Sequence, residues 1–133
     1  ISLVYNYMAN DFSRVLNCYS KIERHEIDME TVPKVVISES GKLLYMSRGG
    51  PPFDKAGNSH ARFKQICIYG FNRDHLSTFR KRSAKTTNEV IEDIEILRFL
   101  DLDVSVQMLE VSGGTVAVDT PEDLERVRAC LSV

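Results

Sequence analysis

At 133 residues and a formal net charge of −2, the chain fits one domain and carries no global attraction for nucleic acid or an anionic membrane. Hydrophobic residues at 43% and charged residues at 27% exclude general disorder, and no apolar run approaches the roughly 20 residues of a membrane-spanning helix. Cys18, Cys67 and Cys130 are an odd number without a close pair. That pattern argues against a zinc site or a disulfide framework and predicts a reducing, cytoplasmic setting. No basic-then-apolar leader precedes the first element.

In chain order, Ile1 to Met8 is rich in β-formers and predicts a strand. A chain opening inside a core strand looks cut from something larger; a strand at a sheet edge in a short protein is the alternative. Asp11 to Tyr19 predicts a short helix and Lys21 to Glu30 a polar loop. Lys34-Val35-Val36-Ile37 and Leu43-Leu44-Tyr45-Met46 flank Glu39-Ser40-Gly41-Lys42, a hairpin pattern. Three glycines and two prolines between Arg48 and His60 predict an exposed loop.

Phe63 to Phe71 predicts a third strand. A short helix over 74–82 should follow, its basic end Arg80-Lys81-Arg82 solvated. A longer helix is predicted over 87–100, with Thr86 or Thr87 as N-cap and the stripe Val90, Ile91, Ile94, Leu97 buried. Val104 to Val111 alternates as a strand, Gly113-Gly114 turns the chain, and Thr115 to Val118 forms another short strand. Thr120 as N-cap and Pro121 at the first helical position open a final helix with Leu124, Val127 and Leu131 inward. The sum is a mixed α/β pattern. His25, His60 and His75 stand in polar contexts and are expected to be solvated.

Several segments, in order, resemble the C-terminal half of the 3-deoxy-manno-octulosonate (Kdo) cytidylyltransferases, the CMP-Kdo synthetases. Lys34-Val35-Val36 resembles V-K-V-V. Leu44-Tyr45-Met46-Ser47-Arg48 followed by Pro52-Phe53-Asp54 resembles L-Y-F-S-R-x-x-I-P-W/Y-D. Ile68-Tyr69-Gly70-Phe71 resembles I-Y-G-Y, Glu89 to Arg98 resembles E-x-I-E-x-L-E-Q-L-R, and Val118 to Arg128 reads V-D-T-P-E-D-L-E-R-V-R. The likeness covers about residues 33–129, and residues 9–32 depart from it. The family's P-A-R-x-x-S-x-R-x-P-x-K loop and Q-G-D-E-P segment do not occur.

The resemblance implies an α/β fold, the C-terminal part of a nucleotide-diphospho-sugar transferase (GT-A-like) fold with a mixed sheet and flanking helices. It implies transfer of CMP from CTP to a 2-keto sugar acid for lipopolysaccharide or capsule synthesis, Mg2+ as cofactor, and a homodimer contacting through residues 43–63. A stand-alone binding or oligomerisation module without catalysis is the competing reading; no catalytic residue is assigned. Asp119 is implied as a magnesium ligand, although a helix-entry Asp also caps. Arg48 suits a bidentate grip on the sugar carboxylate, or a surface pair with Asp54. Gln65, Tyr69 and Glu95 are implied sugar contacts; a rim tyrosine and a Glu95–Arg98 pair are the plainer alternatives. Gln65 stands where the family has His and Ile96 where it has Gln, which puts Kdo itself in question as the preferred sugar.

Overall fold

The computed structural model describes residues 1–131 except 53–54, 56–62, 113–117 and 119–120, and only the backbone at 130–131. Five strands form one mixed sheet: β1 (Val15–Lys21), β2 (Lys34–Ile37), β3 (Leu43–Ser47), β4 (Phe63–Gly70) and β5 (Val106–Glu110), in the order β3-β2-β4-β1-β5. β1 and β5 are parallel and the other neighbours antiparallel. The predicted hairpin is β2–β3. Gly41 at its tip holds a positive φ of 78°, accessible to glycine at little cost. The Gly41 carbonyl accepts the Met108 N–H at 2.8 Å, and Lys42 bridges Gln107. The hairpin tip thereby curls over to meet β5.

The first two elements reverse the sequence expectation. Ser2–Asn10 is a helix, α1, and the strand β1 occupies most of the segment expected to be helical. The β-forming residues at the start carry a helical spacing as well: Val4 is buried, and Tyr7 and Met8 pack with it against Leu16, Cys18 and Ile66. Tertiary contact decides between the two propensities. A Cβ on Gly70 would lie 2.6 Å from Met8 Sδ and 3.1 Å from a Val4 methyl, so the bare backbone of β4 lets α1 lie flat on the sheet. Lys21 to Glu30 is largely loop, with a 3-10 turn at Arg24–Glu26.

Along β1, successive side chains face opposite sides. Val15 joins Val35, Leu43, Met46, Val106 and Met108 in the main core, whereas Leu16 and Cys18 face α1. Met46 is fully buried, so it is core rather than part of an exposed apolar loop. Lys34 is buried too; its ammonium donates to the carbonyls of Met29 at 2.7 Å and Arg48 at 2.9 Å. This pins the loop entering β2 to the end of β3.

Helix α2 (Arg73–Lys81) begins at Asn72, whose side chain accepts the His75 N–H at 2.8 Å. Arg80, Lys81 and Arg82 are exposed at its end, as expected. His75 is not solvated: it is half-buried, its ring edge-on to Phe99. His60 lies outside the described residues.

The helix predicted over 87–100 is two helices, α3 (Thr87–Glu92) and α4 (Leu97–Asp101), broken at Asp93 in the left-handed region with φ 51°. Of the predicted stripe, Ile94 and Leu97 are buried, while Val90 and Ile91 are exposed. Glu89 is buried instead. The break is held by Arg48, whose Nε, Nη1 and Nη2 donate to the carbonyls of Glu92 (2.7 Å), Glu30 (3.0 Å) and Asp93 (3.1 Å). A cation here satisfies carbonyls a helix C-terminus leaves open.

The final helix, α5, runs Pro121–Leu131; Thr120, the Gly113-Gly114 turn and residues 115–117 of the strand predicted over 115–118 lie outside the described residues, and Val118 is exposed and in no strand. Of the helix's expected apolar stripe, the Leu131 side chain lies outside the described residues and neither Leu124 nor Val127 is buried. Leu124 is 40% exposed, Val127 is half-buried, and Asp123 is the buried position.

Candidate functional site

The end of β4, α2, the α3–α4 break and α4 border a cavity of about 280 Å³, lined by Tyr69, Phe71, Leu76, Phe79, Glu95, Ile96 and Phe99. Its floor is aromatic: Phe71 stacks on Phe99 at 5.5 Å, Phe79 lies 5.5 Å from Phe99, and Tyr69 stacks on Phe71 at 5.8 Å. Tyr69 and Glu95 are the two lining residues that carry a polar side-chain group. Such a site, concave and apolar with a few polar groups, is the usual form of a small-molecule pocket.

Behind Tyr69 runs a buried polar chain. The β1–β4 register pairs Asn17 with Tyr69 but Cys18 with Ile66, so Cys67 and Ile68 are extra residues on β4, a bulge. Asn17, fully buried, fills it. Its Nδ2 donates to the carbonyls of Ile66 and Ile68, each at 3.0 Å. Gln65 Nε2 donates to Asn17 Oδ1 at 3.2 Å and to the Tyr69 hydroxyl at 3.0 Å. Burial, with the neighbouring Cys67 thiol and the Glu95 charge, pushes the Tyr69 phenol well above the usual tyrosine range, so it is a neutral hydroxyl throughout physiological pH.

Glu95 is not paired with Arg98. Arg98 forks onto Glu89 instead, Nε to Oε2 at 2.6 Å and Nη2 to Oε1 at 2.5 Å. Its Cζ sits 3.8 Å from the Phe79 ring centroid, and Nη1 reaches the Phe79 carbonyl. Glu89 also accepts the Thr86 N–H, in the manner of a capping box. The pair locks the ends of α2, α3 and α4 beside the cavity and leaves Glu95, exposed and in no ion pair among the described residues, on its lining.

Of the residues singled out in the sequence, Tyr69 and Glu95 meet at the cavity, with Gln65 supporting Tyr69. Arg48 does not line it; its guanidinium is engaged with backbone carbonyls, so it shapes the α3–α4 break on which Glu95 rides. Ile96 is only 2% exposed, part of the main core with one face on the cavity. Asp119 and Asp54 lie outside the described residues. Among the described residues no group of three or more His, Cys, Asp or Glu side chains could hold a metal ion, and no helix is long and apolar enough to cross a membrane.

Sequence reading missed Asn17 and the aromatic floor. The signal for Asn17 was present: an amide inside the apolar run Val15-Leu16-Asn17-Cys18-Tyr19 needs buried partners if that run is a strand.

No protein-family profile matches the chain. Among curated proteins it is 32% identical over 127 residues to the 3-deoxy-manno-octulosonate cytidylyltransferase of Fusobacterium nucleatum, covering 95% of this chain and 51% of that protein. It is 36% identical over 107 residues to the enzyme of the same description from Flavobacterium johnsoniae, covering 80% and 43%. Among solved structures it matches a CMP:2-keto-3-deoxy-manno-octonic acid synthetase complexed with CTP, at 27% identity and a TM-score of 0.85, over 98% of this chain and 54% of that one. The chain thus spans about half the length of the relatives it matches.

Proposed function

Since this chain is related in sequence and in fold to the 3-deoxy-manno-octulosonate cytidylyltransferases, we propose that it is the sugar-acid-binding part of an enzyme transferring CMP from CTP to a 2-keto sugar acid. The observation that carries this reading is the cavity in which Tyr69 and Glu95 meet over an aromatic floor. An aromatic wall accepts the C–H face of a sugar ring, and two polar groups suffice to orient it. In such a reaction the sugar's anomeric hydroxyl attacks the α-phosphate of CTP and pyrophosphate leaves. This chain's share is to bind and orient that sugar.

Asp119 is the proposed ligand for Mg2+, which when bound offsets charge on the attacked phosphate. Lipopolysaccharide or capsule synthesis is the corresponding pathway. The free thiols of Cys18 and Cys67 support a reducing, cytoplasmic setting. A homodimer is proposed through β3 and the following loop, since β3 is a sheet edge with Leu44 58% exposed. Sedimentation should show a dimer at tens of micromolar; monomer alone would remove the proposal.

The competing reading, a binding or oligomerisation module without catalysis, draws on Ile96, which presents a hydrocarbon face where an amide would offer hydrogen bonds. Purified as it stands, the chain is expected to bind Kdo weakly and to release no pyrophosphate from CTP and Kdo above a buffer control. Release above that control would overturn the assignment of this chain to binding alone. Ile96→Gln should tighten Kdo binding by roughly tenfold, while lowering stability by about 1–3 kcal/mol because it places an amide in the core. Unchanged affinity in calorimetric titration would show that Ile96 serves the core only.

A further inference from the structure

Asn17 has one orientation open to it. Its amide group sits between the carbonyls of Ile66 and Ile68, each at 3.0 Å, where an oxygen would face two other oxygens and only NH2 can bond. Its Oδ1 therefore points at Gln65. That fixes the Gln65 amide in turn: an acceptor must be met by its NH2, so Nε2 lies 3.2 Å from Asn17 Oδ1. The second Nε2 proton then goes to the Tyr69 oxygen at 3.0 Å. Tyr69 receives that proton, so its own must go to another acceptor.

We infer that Asn17 and Gln65 are positioning residues that fix the Tyr69 hydroxyl as a hydrogen-bond donor toward the cavity, so that the ligand must present an acceptor oxygen there. This rests on the sugar-acid reading of the cavity and makes it specific. Cys67 is the protein neighbour beside the phenol, and a thiol sulfur is a weak acceptor that a carboxylate, carbonyl or ring oxygen displaces. Glu95, the other polar group of the lining, is acceptor-only when ionised. The fitting ligand therefore turns an acceptor oxygen to Tyr69 and a hydroxyl proton to Glu95. A hydroxylated carboxylic acid carries both.

The bonding is read first without ligand, by NMR on the 133-residue chain with labelled Asn, Gln and Tyr side chains. The Gln65 amide protons should show cross-relaxation to the Tyr69 ring and slowed exchange with water. If those protons show neither, the orientation is wrong and the inference falls, whatever the ligand.

The second measurement is Kdo binding. Tyr69→Phe removes the donor. Gln65→Glu keeps the shape but has at most one proton for two acceptors. Each should weaken binding by roughly tenfold, and the double variant by no more than either alone, because Gln65 acts through Tyr69. Kdo binding unchanged in Tyr69→Phe, or fully additive losses, would overturn the donor role while the sugar-acid reading stands. Failure of the unaltered chain to bind Kdo or its amino and deoxy analogues, with the Gln65–Tyr69 bond observed, would instead overturn the sugar-acid reading and leave the orientation in place.

Discussion

Replacing Arg98 with methionine is expected to destabilise the chain by about 3–5 kcal/mol, because it leaves the Glu89 carboxylate buried without its countercharge. Glu89 is fully buried and Arg98 nearly so, so water replaces little of the lost interaction. The substitution also removes the guanidinium from the Phe79 ring, a contact of about 1 kcal/mol in a partly desolvated place. For a chain of this size the melting temperature should fall by about 10–20 °C. The double variant Glu89→Leu with Arg98→Met should recover much of the loss, since both desolvation costs disappear together.

The same pair gives stability a defined pH dependence. Hydrogen bonding to Arg98 holds the Glu89 carboxyl below its ordinary value of 4.5. Its contribution is therefore fully present above pH 4.5, where the unfolded carboxyl is also ionised. It is lost as pH falls through the depressed folded value, because the unfolded chain then takes up the proton first. Urea unfolding followed by circular dichroism between pH 7 and pH 3 should show this acid limb, and Arg98→Met should flatten it. An Arg98→Met chain within 1 kcal/mol of the parent at pH 7 would show that the fork does not hold the three helices together.

Truncating Phe99 to alanine should cost about 3–5 kcal/mol as well, by the combined loss of buried apolar surface and the void left behind. Phe99 is 1% exposed and lies in contact range of Phe71, His75 and Phe79, so no single neighbour can swing in to fill its place. Phe99→Leu keeps most of the volume and should lose less, about 1–2 kcal/mol. Because Phe99 forms the cavity floor beside Ile96, the alanine variant should also bind Kdo at least tenfold more weakly under conditions where it remains folded. Retained affinity with lowered stability would separate the floor from the ligand. Retained stability would mean the site collapses around the gap.

What the sequence determined here were the features encoded by neighbouring residues: the β2–β3 hairpin around Gly41, the strand over Phe63–Gly70, the short helix after it and the Thr86–Glu89 helix start. Each depends on turn chemistry, alternation or capping, which act over a few positions. The ordered motifs likewise led to Tyr69, Gln65 and Glu95. Tertiary structure decided the rest. Residues 1–21 carry both β-forming composition and helical spacing, and only the bare backbone at Gly70, seated against Val4 and Met8, settles which operates. Helical periodicity ran unbroken from Thr87 to Leu100, but Arg48, about 40 residues earlier in the chain, caps the helix at Asp93 and turns Val90 and Ile91 outward. The partner of Arg98 was chosen in the same way. Glu95 is close to it in sequence, yet Glu89 lies inside the packed helix ends, where water does not weaken the charge pairing, and there the fork forms.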